Sequence, residues 1–498
     1  MTTRAARLLF PPVRWSAEDG SYDAYRPAIE KGLELGVGGW IIFGGPADAV
    51  RDLTGELRER SRHPVLIGAD LERGAGQQFP GATALPPPAV LAELDDLELT
   101  RRAGELTARE ALAMGIDWVF APVADLDLEP ENPIVGSRAF GADPERASRH
   151  VVAWIEGCRE AGALACAKHF PGHGRTTSDS HLALPTVDVG EDDLATDLRP
   201  FRAAIGAGVD SMMTAHVAYP ALDPSGLPAT LSRPILTGLL RERMGFVGLI
   251  VTDALNMKGV QGGGGEPEAA VRALAAGCDA LLYVREPEQA AAALEAARGG
   301  ELTEDRVTAS LERIRAAAER LDERSSARAG GAGGEGTRPW GSDSDAAWAL
   351  GLAGRAVAPL RGQPRCAGSV EVMTVDDDVG GPFPPGSRAA FPEALRGAGV
   401  HVREVGRPTG GVPVIIALYA DIKGFKGRPG LSAEAVETVA AAVVEPRGAT
   451  VVLFGHPRMA TETPGPHLLG AWGGEAIMQR AAARWLAANP DPTEPSPR

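Results

Sequence analysis

The chain has 498 residues, 44% of them hydrophobic and 5% aromatic, and carries a formal net charge of −16 from 50 basic and 66 acidic side chains. That acidic excess argues against a nucleic-acid binder and against docking on an anionic membrane, and no segment reaches the roughly 18 apolar residues of a membrane span. The length suits two or three domains, and the four scattered cysteines, Cys158, Cys166, Cys278 and Cys366, read as small hydrophobes rather than a zinc or disulfide framework.

Residues 1–15 hold only the short apolar run Leu8-Leu9-Phe10 before two prolines, too short for the core of a secretion signal. A cytoplasmic address is therefore expected. Eight short, apolar, β-rich runs follow: 7–10, 39–43, 65–70, 118–125, 163–170, 211–216, 249–253 and 280–284. Amphipathic stretches rich in alanine and leucine separate most of them and read as helices. Alternating strands and helices predict a parallel sheet, and eight such units within about 300 residues predict a (β/α)8 barrel. Polar groups end five consecutive runs: Asp70, Asp125, Lys168-His169, His216 and Asp253. That is the face on which such a barrel carries its active site.

A helix over 303–321 closes this region. Val307, Leu311, Ile314, Ala318 and Leu321 fall on one face. Thr303 is a plausible N-cap, with Glu304 and Asp305 in the favourable first turn. The barrel domain is thus expected over 1–324. Residues 325–344, with Gly330-Gly331-Ala332-Gly333-Gly334-Glu335-Gly336, read as a flexible linker. A second alternation follows, with strands over 370–375, 412–420 and 449–454 and helices over 432–445 and 474–486. It predicts a smaller α/β layered domain, an αβα sandwich, over 345–498. Its loop Lys423-Gly424-Phe425-Lys426-Gly427-Arg428-Pro429-Gly430 reads as an exposed connection or, alternatively, as a segment leaning over the barrel mouth.

The densest chemistry lies in Lys168-His169-Phe170-Pro171-Gly172-His173-Gly174, followed by Asp179-Ser180-His181. Glycine and proline break any helix through this stretch. The Asp179-x-His181 spacing can hold an imidazole against a carboxylate, which raises its basicity and fixes its tautomer. His169, His173, His181 and Asp179 also offer zinc-ligand types. However, Phe-Pro-Gly between the first two histidines removes the helical i, i+4 presentation, and no metal is expected. Asp253 reads equally as a helix cap or as a nucleophile or general base. His216 reads as a hydrogen-bonded wall residue. Lys168 and Arg138 are cations expected near the pocket rim, able to donate to a neutral polyol or amide.

Taken in order, Asp70-x-Glu72, Arg138 within Gly-Ser-Arg-Ala-Phe, the Lys168–Gly174 string, Asp179-Ser-His181 and Thr252-Asp253 resemble glycoside hydrolase family 3. The Asp-Ser-His triplet is similar to that of its β-N-acetylhexosaminidase branch. The resemblance covers most of 5–322. It implies a retaining exo-glycosidase acting on terminal β-linked N-acetylglucosamine of cell-wall or chitin fragments, with no cofactor and only a small carbohydrate as partner. Asp253 would be the nucleophile and His181 the acid/base, oriented by Asp179. Asp70, Arg138, Lys168 and His169 would hold the sugar's hydroxyls and acetamido group. An imidazole does not repel an anion as a carboxylate would, so phosphate is an alternative acceptor to water. The family pattern carries an arginine where this chain has Gln78, which keeps hydrogen-bonding capacity but loses the charged planar fork; Arg73 replaces a glycine nearby. Two other readings compete: a metal-dependent hydrolase built on the histidines, and a sugar-binding barrel without turnover.

Overall fold

A computed structural model describes residues 4–261, 265–328, 339–378, 386–444 and 449–490. The chain divides into two compact units. The first comprises Met1–Thr83, Asp96–Leu128 and Ala139–Ser342; the second comprises Ala84–Asp95, Glu129–Arg138 and Asp343–Arg498.

Nine short strands form the wall of the first unit: β1 (Leu9–Phe10), β2 (Pro12–Arg14), β3 (Gly39–Phe43), β4 (Leu66–Ala69), β5 (Trp118–Val119), β6 (Leu164–Phe170), β7 (Ser211–Thr214), β8 (Leu249–Val251) and β9 (Leu281–Leu282). β2 to β8 pair in sequence, all parallel. β1 and β2 are one physical strand interrupted at Pro11, which lacks the N–H that a continuous ladder would use. Its first half pairs with β9 and its second half with β3. Val251 bridges Ala280, and Thr252 Oγ1 accepts the Leu282 N–H at 2.9 Å. The sheet therefore closes on itself as a (β/α)8 barrel. Phe10, Ile41, Leu66, Trp118, Phe120, Leu164 and Leu249 are among its core residues.

The first predicted strand needs correction. Residues Ala5–Leu8 form a 3-10 turn, and the strand runs on through both prolines to Arg14. Pro11 still contributes its carbonyl, which accepts the Ile41 N–H at 3.0 Å. The predicted 118–125 strand is regular only at Trp118–Val119, and it rejoins the ladder at the Val123–Lys168 bridge.

Outer helices are set by local signals. Asp96 caps Leu97–Ala113, accepting from the Glu98 and Leu99 N–H groups. Asp143 caps Pro144–Glu160, which has proline in its first turn. These two helices approach closely at Gly104 and Gly157, where an added Cβ would strike the facing backbone.

A repeated device closes the lower end of the barrel. Gly115-Ile116-Asp117, Gly208-Val209-Asp210 and Gly277-Cys278-Asp279 each precede a strand. Each glycine has positive φ, and each carboxylate accepts an N–H from the preceding strand: Ile67 at 3.2 Å, Ala165 at 3.1 Å and Ile250 at 3.0 Å. Arginines from the outer layer then neutralise the carboxylates. Arg58 meets Asp117 at 2.7 Å and Arg324 meets Asp210 at 2.8 Å. Arg241, Arg306 and Arg313 converge on Asp279, the latter two at 3.1 Å. At the corresponding place before β3, Gly36-Val37-Gly38 has glycine where the aspartate would stand. There an added Cβ would collide with the Arg7 carbonyl.

The helix expected over 303–321 runs farther, as Glu304–Arg328, because no glycine or proline stops it before Gly330. Of the predicted linker, 329–338 lie outside the described residues. Its end is tied down: Trp340 is buried under the Arg51 guanidinium, 5.3 Å from the ring centre, and the Gly341 N–H donates to Glu110 at 2.8 Å.

The second unit holds a six-stranded sheet of β10 (Ala358–Arg361), β11 (Ser369–Asp376), β12 (His401–Glu404), β13 (Val414–Ala420), β14 (Thr450–Gly455) and β15 (His467–Gly470), in the order β10-β15-β14-β13-β11-β12. Among the described residues of this sheet, only the β10–β15 pair is antiparallel. Helices Ala433–Val443, capped by Ser432, and Ala476–Ala487 match the expected ones. The basic loop over 423–430 is a braced connection. Lys423 Nζ donates to the Asp378 carbonyl at 2.8 Å, Lys426 Nζ to the Asp421 carbonyl at 3.0 Å, and Arg428 pairs with Asp377 at 2.6 Å.

Candidate active site

In a parallel barrel every strand delivers its C-terminal residue to the same mouth. Arg14, Phe43, Asp70, Asp125, Lys168-His169, His216, Asp253 and Tyr283 all stand at or just past those ends in the first unit.

Lys168 is 2% exposed and sits between two carboxylates, 2.7 Å from Asp70 Oδ1 and 2.7 Å from Glu72 Oε1. A buried ammonium persists only when paired in this way. The other oxygen of Asp70 accepts a short hydrogen bond from the Tyr283 hydroxyl. Tyr283 has φ 59°, a left-handed conformation that costs energy for a bulky side chain. Burial and the neighbouring Asp70 raise its hydroxyl well above the ordinary tyrosine value, so it remains a donor. Asp70 is thereby fixed on both oxygens while staying half-buried at the mouth.

Asp125 organises the histidine string. Its Oδ1 accepts the N–H groups of His169 at 3.1 Å and His173 at 2.6 Å, and its Oδ2 lies 2.7 Å from His169 Nδ1. Burial pushes this carboxyl up, but the imidazoles of His169 and His173 and their N–H donors outweigh it and hold it below the usual range. The Nδ1 proton of His169 is thus committed to Asp125, leaving Nε2 as the nitrogen for a ligand. His173 is a brace: Nδ1 lies 2.8 Å from Thr176 Oγ1 and Nε2 lies 3.0 Å from Ser180 Oγ. Burial lowers its pKa to about 4, so it is neutral near pH 7.

Through Ser180, that brace holds the turn carrying the sharpest pair. Asp179 Oδ1 accepts the His181 N–H at 2.8 Å and lies 2.7 Å from His181 Nδ1. The aspartate side chain is buried, whereas the imidazole is 26% exposed. An Nδ1 proton held by carboxylate leaves Nε2 to exchange a proton with a ligand. The same turn is tied to the segment after Asp253, because the Gly259 N–H donates to the Ser180 carbonyl at 3.2 Å.

Asp253 accepts the Ala254 N–H at 2.7 Å. Desolvation alone would raise its pKa; the fields of His169 and His216, the Ala254 N–H and the field of His181 overcome this and hold it at about 2. The carboxylate is therefore ionised at any ordinary pH. His216 is fully buried, with Nδ1 2.7 Å from Thr230 Oγ1 and Nε2 3.0 Å from the Ala254 carbonyl. It is the wall residue its position suggested, and burial lowers its pKa.

Of the residues singled out in the sequence, Asp70, Lys168, His169, Asp179, His181 and Asp253 all belong to the first unit. Gln78 also lies there, half-buried after the turn Ala75–Gln77; its neighbour Gln77 takes the Arg73 N–H at 2.8 Å. Arg138 belongs to the segment that groups with the second unit, where it ends the turn Gly136–Arg138 and donates to the Ile134 carbonyl at 3.4 Å. Tyr283, Arg14 and the bracing role of His173 are additions that sequence reasoning missed. Among the described residues, no group of three or more His, Cys, Asp or Glu side chains is arranged to hold a metal ion, and none of the helices is long and apolar enough to cross a membrane.

Residues 28–317 match the Glycosyl hydrolase family 3 N terminal domain. The chain is similar to the β-hexosaminidase of Chromobacterium violaceum, at 42% identity over 275 residues covering 52% of this chain and 75% of that protein. It is equally similar to the β-hexosaminidase of Thioalkalivibrio sulfidiphilus, at 42% over 269 residues, 52% of this chain and 77% of that protein. Among solved structures, a glycoside hydrolase family 3 β-N-acetylglucosaminidase from Paenibacillus sp. str. FPU-7 superposes with a TM-score of 0.83 at 29% identity, over 97% of this chain and 96% of that one. A β-glucoside phosphorylase shares the fold, with a TM-score of 0.82 at 24% identity over 98% and 92% of the two chains.

Proposed function

The chain belongs to glycoside hydrolase family 3 and to its β-N-acetylhexosaminidase class of enzymes, and from that premise we propose that it removes terminal β-linked N-acetylglucosamine by a retaining double displacement. The observation that carries this reading is the Asp179–His181 pair, joined at 2.7 Å, on a turn hydrogen-bonded to the segment following the ionised Asp253.

Asp253 attacks the anomeric carbon while the bond to the leaving oxygen breaks. His181 gives that oxygen its Nε2 proton, and Asp179 stabilises the imidazolium beforehand and keeps the ring oriented. In the second half, neutral His181 takes a proton from water, water attacks the anomeric carbon, and the Asp253 carboxylate departs. An imidazole thus does what a second carboxylate does in most glycosidases. Asp70, Lys168, His169 and Gln78 hold hydroxyls and the acetamido group, with charge-assisted hydrogen bonds from the ionised members. Cell-wall or chitin fragments are the substrate source we propose, and the cytoplasm the place. The imidazole acid/base also favours a second reading in which inorganic phosphate replaces water.

The test is dye release from an aryl β-N-acetylglucosaminide beside the matching β-glucoside, by wild type and Asp253→Ala, with and without a chelator. We expect release from the acetamido sugar, unaffected by chelation and lost in the variant. Loss on chelation would move the reaction to metal chemistry, and sugar binding without release would leave a binding module. Accumulation of N-acetylglucosamine 1-phosphate in phosphate buffer would establish the second acceptor.

A further inference from the structure

The mouth of the barrel holds a cation that the mechanism above does not use. Arg14 ends β2, and its guanidinium carbon lies 3.8 Å from the centre of the Phe43 ring. That ring is 5.5 Å from the ring of Tyr283, whose hydroxyl is bonded to Asp70. Arg14, Phe43, Tyr283 and Asp70 therefore form a continuous patch, supplied by the strand ends β2, β3, β9 and β4. Burial lowers the pKa of Arg14, and the fields of Tyr25, Tyr283 and Asp70 work against that drop. Its charge is thus partly withdrawn from water and sits within reach of the Asp70 carboxylate's field.

The position around the ring decides what this patch faces. With β1 and β2 as one strand, the barrel has eight positions, and the strand ending at Arg14 stands opposite β6. The Asp179–His181 turn follows β6. A proton donor must touch the leaving oxygen, so the leaving group lies on the β6 side. The opposite arc then faces the hydroxyls at the far end of the sugar.

Resting on the proposed reaction, we propose that Arg14, held over the Phe43 ring beside Asp70, is a specificity-determining residue that binds a hydroxyl at the end of the sugar farthest from the leaving group. A hydroxyl can donate to the Asp70 carboxylate and accept from an Arg14 N–H at the same time. The attraction between the guanidinium and the ring face holds the Arg14 head group at the mouth.

The test compares kcat/KM on an aryl β-N-acetylglucosaminide and on its 4-deoxy and 6-deoxy analogues, for wild type, Arg14→Ala and Arg14→Lys. Arg14→Ala should lower kcat/KM on the parent sugar by about 10- to 100-fold, mostly through KM. Arg14→Lys should recover only part of this. On one of the deoxy sugars the loss should vanish, because the partner hydroxyl is already gone. An unchanged kcat/KM, or an equal loss on all three sugars, would overturn the assignment. Calorimetric binding of N-acetylglucosamine separates this from the reaction itself. Binding that depends on Arg14 in a wild type without turnover would sink the proposed reaction and keep Arg14. Turnover that ignores Arg14 would do the reverse, and absence of both binding and turnover would overturn both.

Discussion

As the proposed acid, His181 differs from the carboxylate acids of most glycosidases in charge: it would be cationic when protonated and neutral when spent. Its carboxylate partner is buried and its ring is partly open, so in the proposed reaction the proton moves at Nε2, the nitrogen that Asp179 does not hold. His181→Ala should therefore lower kcat on N-acetylglucosamine disaccharides by about 10²- to 10⁴-fold, with a much smaller loss on a nitrophenyl glycoside, whose leaving group needs little protonation. Equal losses on both would contradict the acid role. At this scale the sequence was informative where residue type was unusual for its place. Asp70, Lys168, His169 and Asp253 are ionisable groups at the ends of apolar runs, and Asp179 and His181 are two residues apart. Arg14 and Tyr283 gave no such signal. Arg14 lay beyond two prolines that read as the end of a strand, and Tyr283 became polar in effect only through its distant partner, Asp70.

The barrel strands are short, and their two ends do different work. The upper ends carry the proposed catalytic and binding groups, whereas the lower ends carry the Gly-x-Asp device. Asp279 is fully buried, with Arg241, Arg306 and Arg313 converging on it. Asp279→Asn would leave three guanidinium groups facing a neutral amide, and removing one partner of a buried ion pair costs about 3–5 kcal/mol. Denaturant unfolding should show a loss of that order, with kcat per folded molecule little changed; Asp253→Ala should do the opposite. Parity of effect between the two aspartates would refute this division of labour. The glycine-x-aspartate strings are visible in the sequence, but their uneven spacing hid them as a repeat, and an aspartate at the start of a run looks much like one at its end. The edge strands β10 and β12 were illegible for another reason. Their side chains are mostly exposed, so no apolar run marks them, unlike the fully buried β13 and β14.

Across the whole molecule, buried imidazoles set the response to acid. His173 falls from an ordinary 6.5 to about 4, and His456 of the second unit to about 3, both through burial; His216 is lowered for the same reason. Each takes up a proton more readily when unfolded than when folded. The stability they contribute is complete above pH 6.5 and is lost as pH falls through the folded values. Asp253 acts lower, between its ordinary 3.8 and about 2. Surface carboxylates protonate mainly near pH 4, so the histidines decide the upper part of the window. The thermal midpoint should fall steadily from pH 6.5 to 4, with up to roughly 3 kcal/mol traceable to His173. His173→Asn should flatten that slope, and an unaltered slope would show that His173 is not its source. The division into a barrel and a layered α/β unit was readable from alternating apolar runs. The grouping of Ala84–Asp95 and Glu129–Arg138 with the second unit was not, because segment partnership depends on long-range packing that local pattern does not encode.

The hydrogen bond between Gly259 and the Ser180 carbonyl couples two segments of the mouth. A Cβ at Gly259 would sit 2.9 Å from that carbonyl, 3.2 Å from the Ala183 carbonyl and 3.3 Å from the His216 carbonyl. The clasp therefore admits no side chain without prising three backbone segments apart. Asp253, the proposed nucleophile, and His181, the proposed acid/base, sit on separate segments, yet they share this one small joint. A change that displaces either segment is therefore felt by the other. A substitution at Gly259 should therefore disturb both segments at once.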